Sequence, residues 1–156
     1  MTLTCQQFHM LEDLVLRFWA CVDETAPIDG PELFIPDGAL VIESFRAEGQ
    51  AALARYFTAR RALSAARGRL TRHLCTNLRV LSGEGMRLAA TITVFSGTGA
   101  RPVALGPPSS LADFTFDCVE TAAGWRLACV TGALIFAGAD TPDLKQAAAA
   151  ARGETT

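Results

Sequence analysis

A chain of 156 residues, 50% hydrophobic and 19% charged, has the length for one domain with its own core and the wrong composition for global disorder. A net charge of −2 argues against nucleic acid as the main partner, because phosphate binding needs clustered Lys and Arg. No apolar run reaches the ~20 residues that span a bilayer, and no basic region followed by an apolar run opens the chain, so a soluble cytoplasmic protein without membrane contact is expected.

Thr4, with Gln7 three positions on, predicts a capping box at the head of a helix. Phe8, Leu11, Val15, Phe18, Trp19 and Val22 then recur at helical spacing, and Thr25-Ala26-Pro27 ends the element near Glu24. A short helix is expected at Pro31–Phe34, with Pro31 in its first turn. Pro36-Asp37-Gly38 reads as a turn and Ala39–Ser44 as a strand. Gln50–Ala65 is a second long helix, with Leu53, Tyr56, Phe57 and Leu63 as its apolar stripe.

Four strands follow without a helix between them: Leu70–Leu81, Met86–Phe95, Leu111–Glu120 and Trp125–Phe136. Glycines in the connections 82–85 and 121–124 supply positive φ for hairpin turns. The longer Gly97–Ser110 connection is rich in Gly and Pro and is expected at a pocket mouth or a sheet edge. The alanine-rich run Gln146–Arg152 has little to bury, which gives one domain over 1–137 and a peripheral tail over 138–156.

Helices first and hairpin-linked strands after predict an α+β fold with a mostly antiparallel sheet. Met86, Leu88, Ala90, Ile92 and Val94 make one face of their strand apolar, and Ala89 and Phe95 leave the other nearly uncharged. A second copy of the chain, in a homodimer through the sheet, is the expected cover for that outer face. The five cysteines form no CxxC and lie among apolar neighbours, so core packing in a reducing compartment is expected, with no metal site. Arg60, Arg61, Arg67, Arg69 and Arg72 read as a solvated helix end or a dimer rim.

Four words in order carry a family resemblance: L-F-I-P-D-G-A-L at 33–40, G-Q-A-A-L at 49–53, R-H-L-C-T-N at 72–77 and G-W-R-L-A at 124–128. Their order and spacing resemble the nuclear transport factor 2-like (NTF2-like) superfamily, nearest its SnoaL-like polyketide cyclase and ketosteroid isomerase branch. The resemblance implies a cone-shaped cystatin-like α+β barrel, with N-terminal helices packed on a curved sheet around a deep apolar pocket. Members include isomerases, dehydratases, cyclases and epoxide hydrolases, and also binding and assembly modules without catalysis.

His73 lies mid-strand, sharing a face with Cys75 and Asn77, where several members carry a pocket histidine. It is read as a general acid or base, or else as a buried histidine bonded for structural reasons. The resemblance sets Glu43 at the isomerase's proton-shuttling aspartate, and the alternative is a solvent-facing strand end. Trp19 stands near the isomerase's tyrosine donor, as a wall or as an indole N–H donor. Tyr56 is read as core packing or as a substitute for that tyrosine. Asn77 is read as positioning a substrate carbonyl or as satisfying backbone at a bulge. Phe95 and Phe116 are taken as pocket-lining substrate contacts. Asp113 or Asp117 is a possible partner for His73, or a surface residue. Asp23 closes the first helix, lining the pocket or merely exposed, and His9 is expected in solvent.

No phosphate loop, dinucleotide fingerprint, H-E-x-x-H or G-x-S-x-G occurs, so no cofactor is expected. The first functional reading is a cofactor-free acid–base isomerase, dehydratase or cyclase acting on a small hydrophobic carbonyl or aromatic molecule, with His73 and Glu43 as its catalytic pair. The alternative is a non-catalytic ligand-binding or protein-assembly module of the same fold. A third possibility, the small subunit of an aromatic-ring dioxygenase, would ordinarily have a longer chain.

Overall fold

The computed structural model describes residues 3–138, so the expected tail beyond Gly138, with its alanine-rich run, lies outside the described residues. Helix α1 runs Cys5–Val22, and the expected capping box forms: the Thr4 hydroxyl accepts from the Gln7 backbone N–H at 3.2 Å while the Gln7 side chain accepts from the Thr4 N–H at 3.0 Å. A single 3₁₀ turn at Pro31–Leu33 leads into strand β1, Phe34–Ile42. Strand β2, Phe45–Glu48, returns to pair with β1 antiparallel, and α2 follows over Gln50–Arg67. Strands β3 (Arg69–Val80), β4 (Met86–Thr98), β5 (Ser110–Thr121) and β6 (Gly124–Ala137) complete the chain.

The six strands form one open sheet in the order β2-β1-β6-β5-β4-β3, antiparallel throughout except for the parallel β1–β6 pair. Both helices pack against its inner face, α1 on β6 and β3, α2 on β1, β2 and β3. That is the expected α+β layering, with β2 and β3 left as sheet edges.

Two local features depart from the sequence reading. Pro36-Asp37-Gly38 does not turn the chain: it lies inside β1, where the register against β6 shifts between Phe34 and Ala39. Strand β2 has no counterpart in the sequence reading, because four residues alternate too briefly to show a period until β1 pairs with them. Among the cysteines, Cys21 and Cys118 are buried as expected, whereas Cys5 is exposed at the first position of α1. Burial raises the Cys118 thiol to about 12, which keeps it protonated and inert. No helix among the described residues is long and apolar enough to cross a membrane.

The core is a continuous cluster in which Phe18, Leu11, Leu40, Leu88, Phe116 and Leu127 are at most 1% exposed. Phe18 meets Trp19, Phe34, Phe57 and Phe116 edge-on, with centroids 4.9–6.5 Å apart. On the outer face Leu74, Val119 and Ile135 are 46%, 42% and 51% exposed.

Gly132 of β6 pairs with Phe114 of β5, and the ring lies over the glycine. A Cβ at 132 would come within 2.5 Å of the Phe114 ring. Gly132→Ala is therefore expected to displace that ring and cost roughly 1–3 kcal/mol, seen as a lower urea midpoint. An unchanged midpoint would contradict the packing.

Candidate functional site

Asp23 is the C-cap residue of α1, a position where the helix dipole disfavours negative charge. Donors from β3 compensate. The Thr71 hydroxyl donates to Oδ1 at 2.7 Å, the His73 backbone N–H to Oδ2 at 2.7 Å, and the His73 ring Nδ1 to Oδ1 at 2.6 Å. Since β3 is an edge strand, an outward N–H there has no strand to bond, and Asp23 supplies the acceptor. Both side chains are inside, with Asp23 6% and His73 10% exposed.

Burial pushes the Asp23 carboxyl up, but the bonds and charge of His73, with the Thr71 hydroxyl, outweigh it and hold the group below its ordinary 3.8. Burial carries His73 below its ordinary 6.5 and outweighs the pull of Asp23, with Arg60 and Arg69 adding to the downward push. At neutral pH the pair is a carboxylate facing a neutral imidazole. A carboxylate only accepts, so the ring proton sits on Nδ1 and Nε2 keeps its lone pair. Trp19 stacks on the imidazole at 4.6 Å and 14°, which sets the ring plane.

His73 lines a cavity of about 60 Å³ between the helices and the sheet. Helix α1 contributes Phe18, Trp19 and Val22, and α2 contributes Tyr56 and Arg60. The sheet closes it with Ile42, Val94, Ala112, Phe114 and Leu134, plus the Ser110 hydroxyl. The space is small beside the ~300–1,000 Å³ of drug-sized sites, so a ring-sized ligand enters only if the wall moves. Two larger hollows, of about 240 and 670 Å³, open elsewhere on the surface, and His73 lines neither. Among the described residues no three His, Cys, Asp or Glu side chains gather as a metal site would require.

The cavity brings together His73, Trp19 and Tyr56 of the residues singled out in the sequence. Glu43 is not at His73. It is exposed in the β1–β2 turn at φ 52°, where its Oε1 accepts from the Leu134 N–H at 2.5 Å. Alternation had placed it in line with Val41, but the strand ends at Ile42 and the left-handed residue after it turns the chain. Asn77 is exposed, at φ 55°, where the β3–β4 register shifts. That bulge takes Asn77 off the His73 face and turns Leu78 toward the core instead. Phe95 lines the 240 Å³ hollow under the 99–106 loop, and Phe116 is fully buried, stacked behind Phe114 at 6.2 Å and outside the cavity lining. Asp113 accepts from Thr91 and Asp117 from Arg87, so neither partners His73. His9 is exposed beside Glu12.

Two site residues carried signals that went unused. Asp23 follows Trp19 by four positions and extends the buried stripe of α1, at a helix end where an acid needs compensation. Arg60 extends the stripe of Leu53, Tyr56 and Phe57 along one face of α2. It donates from Nε to the Val22 carbonyl at 3.2 Å and from Nη2 to the Thr71 hydroxyl at 3.5 Å.

A SnoaL-like domain family model matches residues 9–131. No curated protein matches the chain. Among solved structures it is similar to an NTF2-like protein with a cystatin-like fold from Novosphingobium aromaticivorans, at 22% identity and TM-score 0.67, covering 87% of this chain and 86% of that one. A protein of unknown function with a cystatin-like fold from Nostoc punctiforme gives 21% identity and TM-score 0.69, covering 91% and 98%. A candidate scytalone dehydratase from N. aromaticivorans gives 13% and 0.66, covering 84% and 85%. Likeness at these identities is a likeness of fold.

Asp23→Asn exchanges an anionic acceptor for an amide that cannot accept all three donors, and is expected to lower stability by about 2–3 kcal/mol. Equal urea midpoints for the two proteins would show that the carboxylate holds nothing together.

Proposed function

We propose that this chain, which belongs to the SnoaL-like domain family, is a cofactor-free acid–base enzyme acting on a small carbonyl compound, with His73 as its proton carrier and Asp23 as the positioning residue. The observation that carries the reading is the 2.6 Å Asp23–His73 bond beside a cavity that His73 lines. The similar solved structure described as a candidate scytalone dehydratase supports a pocket of this kind as a place for such chemistry.

With Nδ1 committed to Asp23, Nε2 is the free base. It takes a proton from the carbon next to a carbonyl; the C–H pair becomes the C=C of an enolate, and the carbonyl π pair moves onto oxygen. Asp23 stabilises the imidazolium so formed and keeps the ring from turning. Returning the proton to another carbon completes an isomerisation, and giving it to a departing hydroxyl completes a dehydration. The apolar walls keep water from competing for the proton.

The second reading is a non-catalytic ligand-binding module, favoured by the small volume of the cavity. The two separate in D₂O. Wild-type protein is expected to exchange the α-hydrogens of 2-butanone faster than buffer, by NMR, and His73→Gln to lose at least ~100-fold of that rate. Exchange needs the neutral ring, so the rate should fall as pH drops through a midpoint below the ordinary 6.5, because burial lowers the His73 pKa. Equal rates in wild type and His73→Gln, or no exchange above buffer, would leave the binding module as the better account.

A further inference from the structure

The enolate of that mechanism needs a partner for its oxygen, and the cavity wall holds a side chain suited to it. We propose that Arg60 binds an anionic oxygen in this cavity, so that the ligand class is a small apolar molecule with a carboxylate, or with a carbonyl oxygen that becomes negative during reaction. The inference rests on the reading of the cavity as the ligand site.

Arg60 is the one permanently charged side chain among the described residues lining the cavity, on walls that are otherwise mostly apolar. Its head is anchored from two sides. Nε is fixed to the carbonyl of Val22 at the end of α1, and Nη2 to the Thr71 hydroxyl on β3. Of the five N–H donors of a guanidinium, those two contacts use two and leave three without a bond among the described residues. The same Thr71 hydroxyl donates a hydrogen bond to Asp23, so Arg60, Thr71, Asp23 and His73 form one hydrogen-bonded chain. A ligand that reaches the open nitrogen of His73 therefore lies beside a cation whose position is set by the same bonds.

The physical argument is one of asymmetry. A guanidinium fixed against apolar walls is partly stripped of water and keeps unused donors, so it gains most from an anionic acceptor. A neutral acceptor of the same shape offers it much less. Arg61, next in sequence, is exposed and donates to the Ile28 carbonyl at 3.2 Å, outside the cavity lining. It serves as a control for general charge effects.

Propionate and propionamide are matched in size, differ in charge and are smaller than a ring-sized ligand. Their dissociation constants are read by NMR from the Trp19 indole and His73 ring signals. Wild type is expected to bind propionate at least ~10-fold more tightly than propionamide. Arg60→Gln should abolish that preference while leaving propionamide binding unchanged, Arg60→Lys should keep part of it, and Arg61→Gln should keep all of it. A melting temperature for each variant identifies any that fails to fold, and Arg60→Lys then carries the test. Equal binding of the two probes to wild type, or a preference that survives Arg60→Gln, overturns the role of Arg60 and leaves the cavity as the ligand site. Failure of both probes to move either signal overturns the role of Arg60 together with the ligand-site reading.

Discussion

The site depends on one carboxylate at the end of one helix. Asp23 sits where the α1 dipole opposes a negative charge, and the fold compensates with a hydroxyl, a backbone amide and an imidazole from the edge of β3. One interaction does three jobs. It docks the first helix on the last strand of the sheet, gives an edge amide its acceptor, and fixes which nitrogen of His73 carries the proton. Trp19, one helical turn before Asp23, sets the ring plane from the same helix.

The open sheet explains why the chemistry gathers at this end. Among the described residues strand β3 has no neighbour beyond it, so its outward groups are available to helix termini, and both α1 and α2 reach it. Away from the cavity the inner face is filled by the fully buried Phe116, Leu88 and Leu127. The small cavity lies across one end of the strands, from His73 of β3 to Ile42 of β1, with a neutral base and a cation in its wall. Burial lowers the imidazole below its ordinary range, and the guanidinium in the same wall is half-buried.

Much of the fold was legible because its elements are long and periodic. The capping box, both helices and the four later strands lie within a few residues of their expected bounds. What was not legible depends on partners distant in sequence. Strand β2 is a strand only because β1 lies beside it, and the bulge at Asn77 turns a face that simple alternation keeps straight. His73 stood out as a lone imidazole in an apolar strand, but its partner lies 50 residues away, and Asp23 was read there only as a helix end, pocket-lining or exposed, with no tie to His73. Glu43 was favoured through resemblance, and its backbone turns away one residue after its strand ends. Arg60 was hidden among the neighbouring arginines.

The most direct measurement is the ¹⁵N NMR signature of the His73 ring at neutral pH. The account predicts a neutral imidazole with its proton on Nδ1 and a bare Nε2, held there by Asp23. A ring protonated on Nε2, or an imidazolium at pH 7, would contradict it, since no free base would then face the cavity.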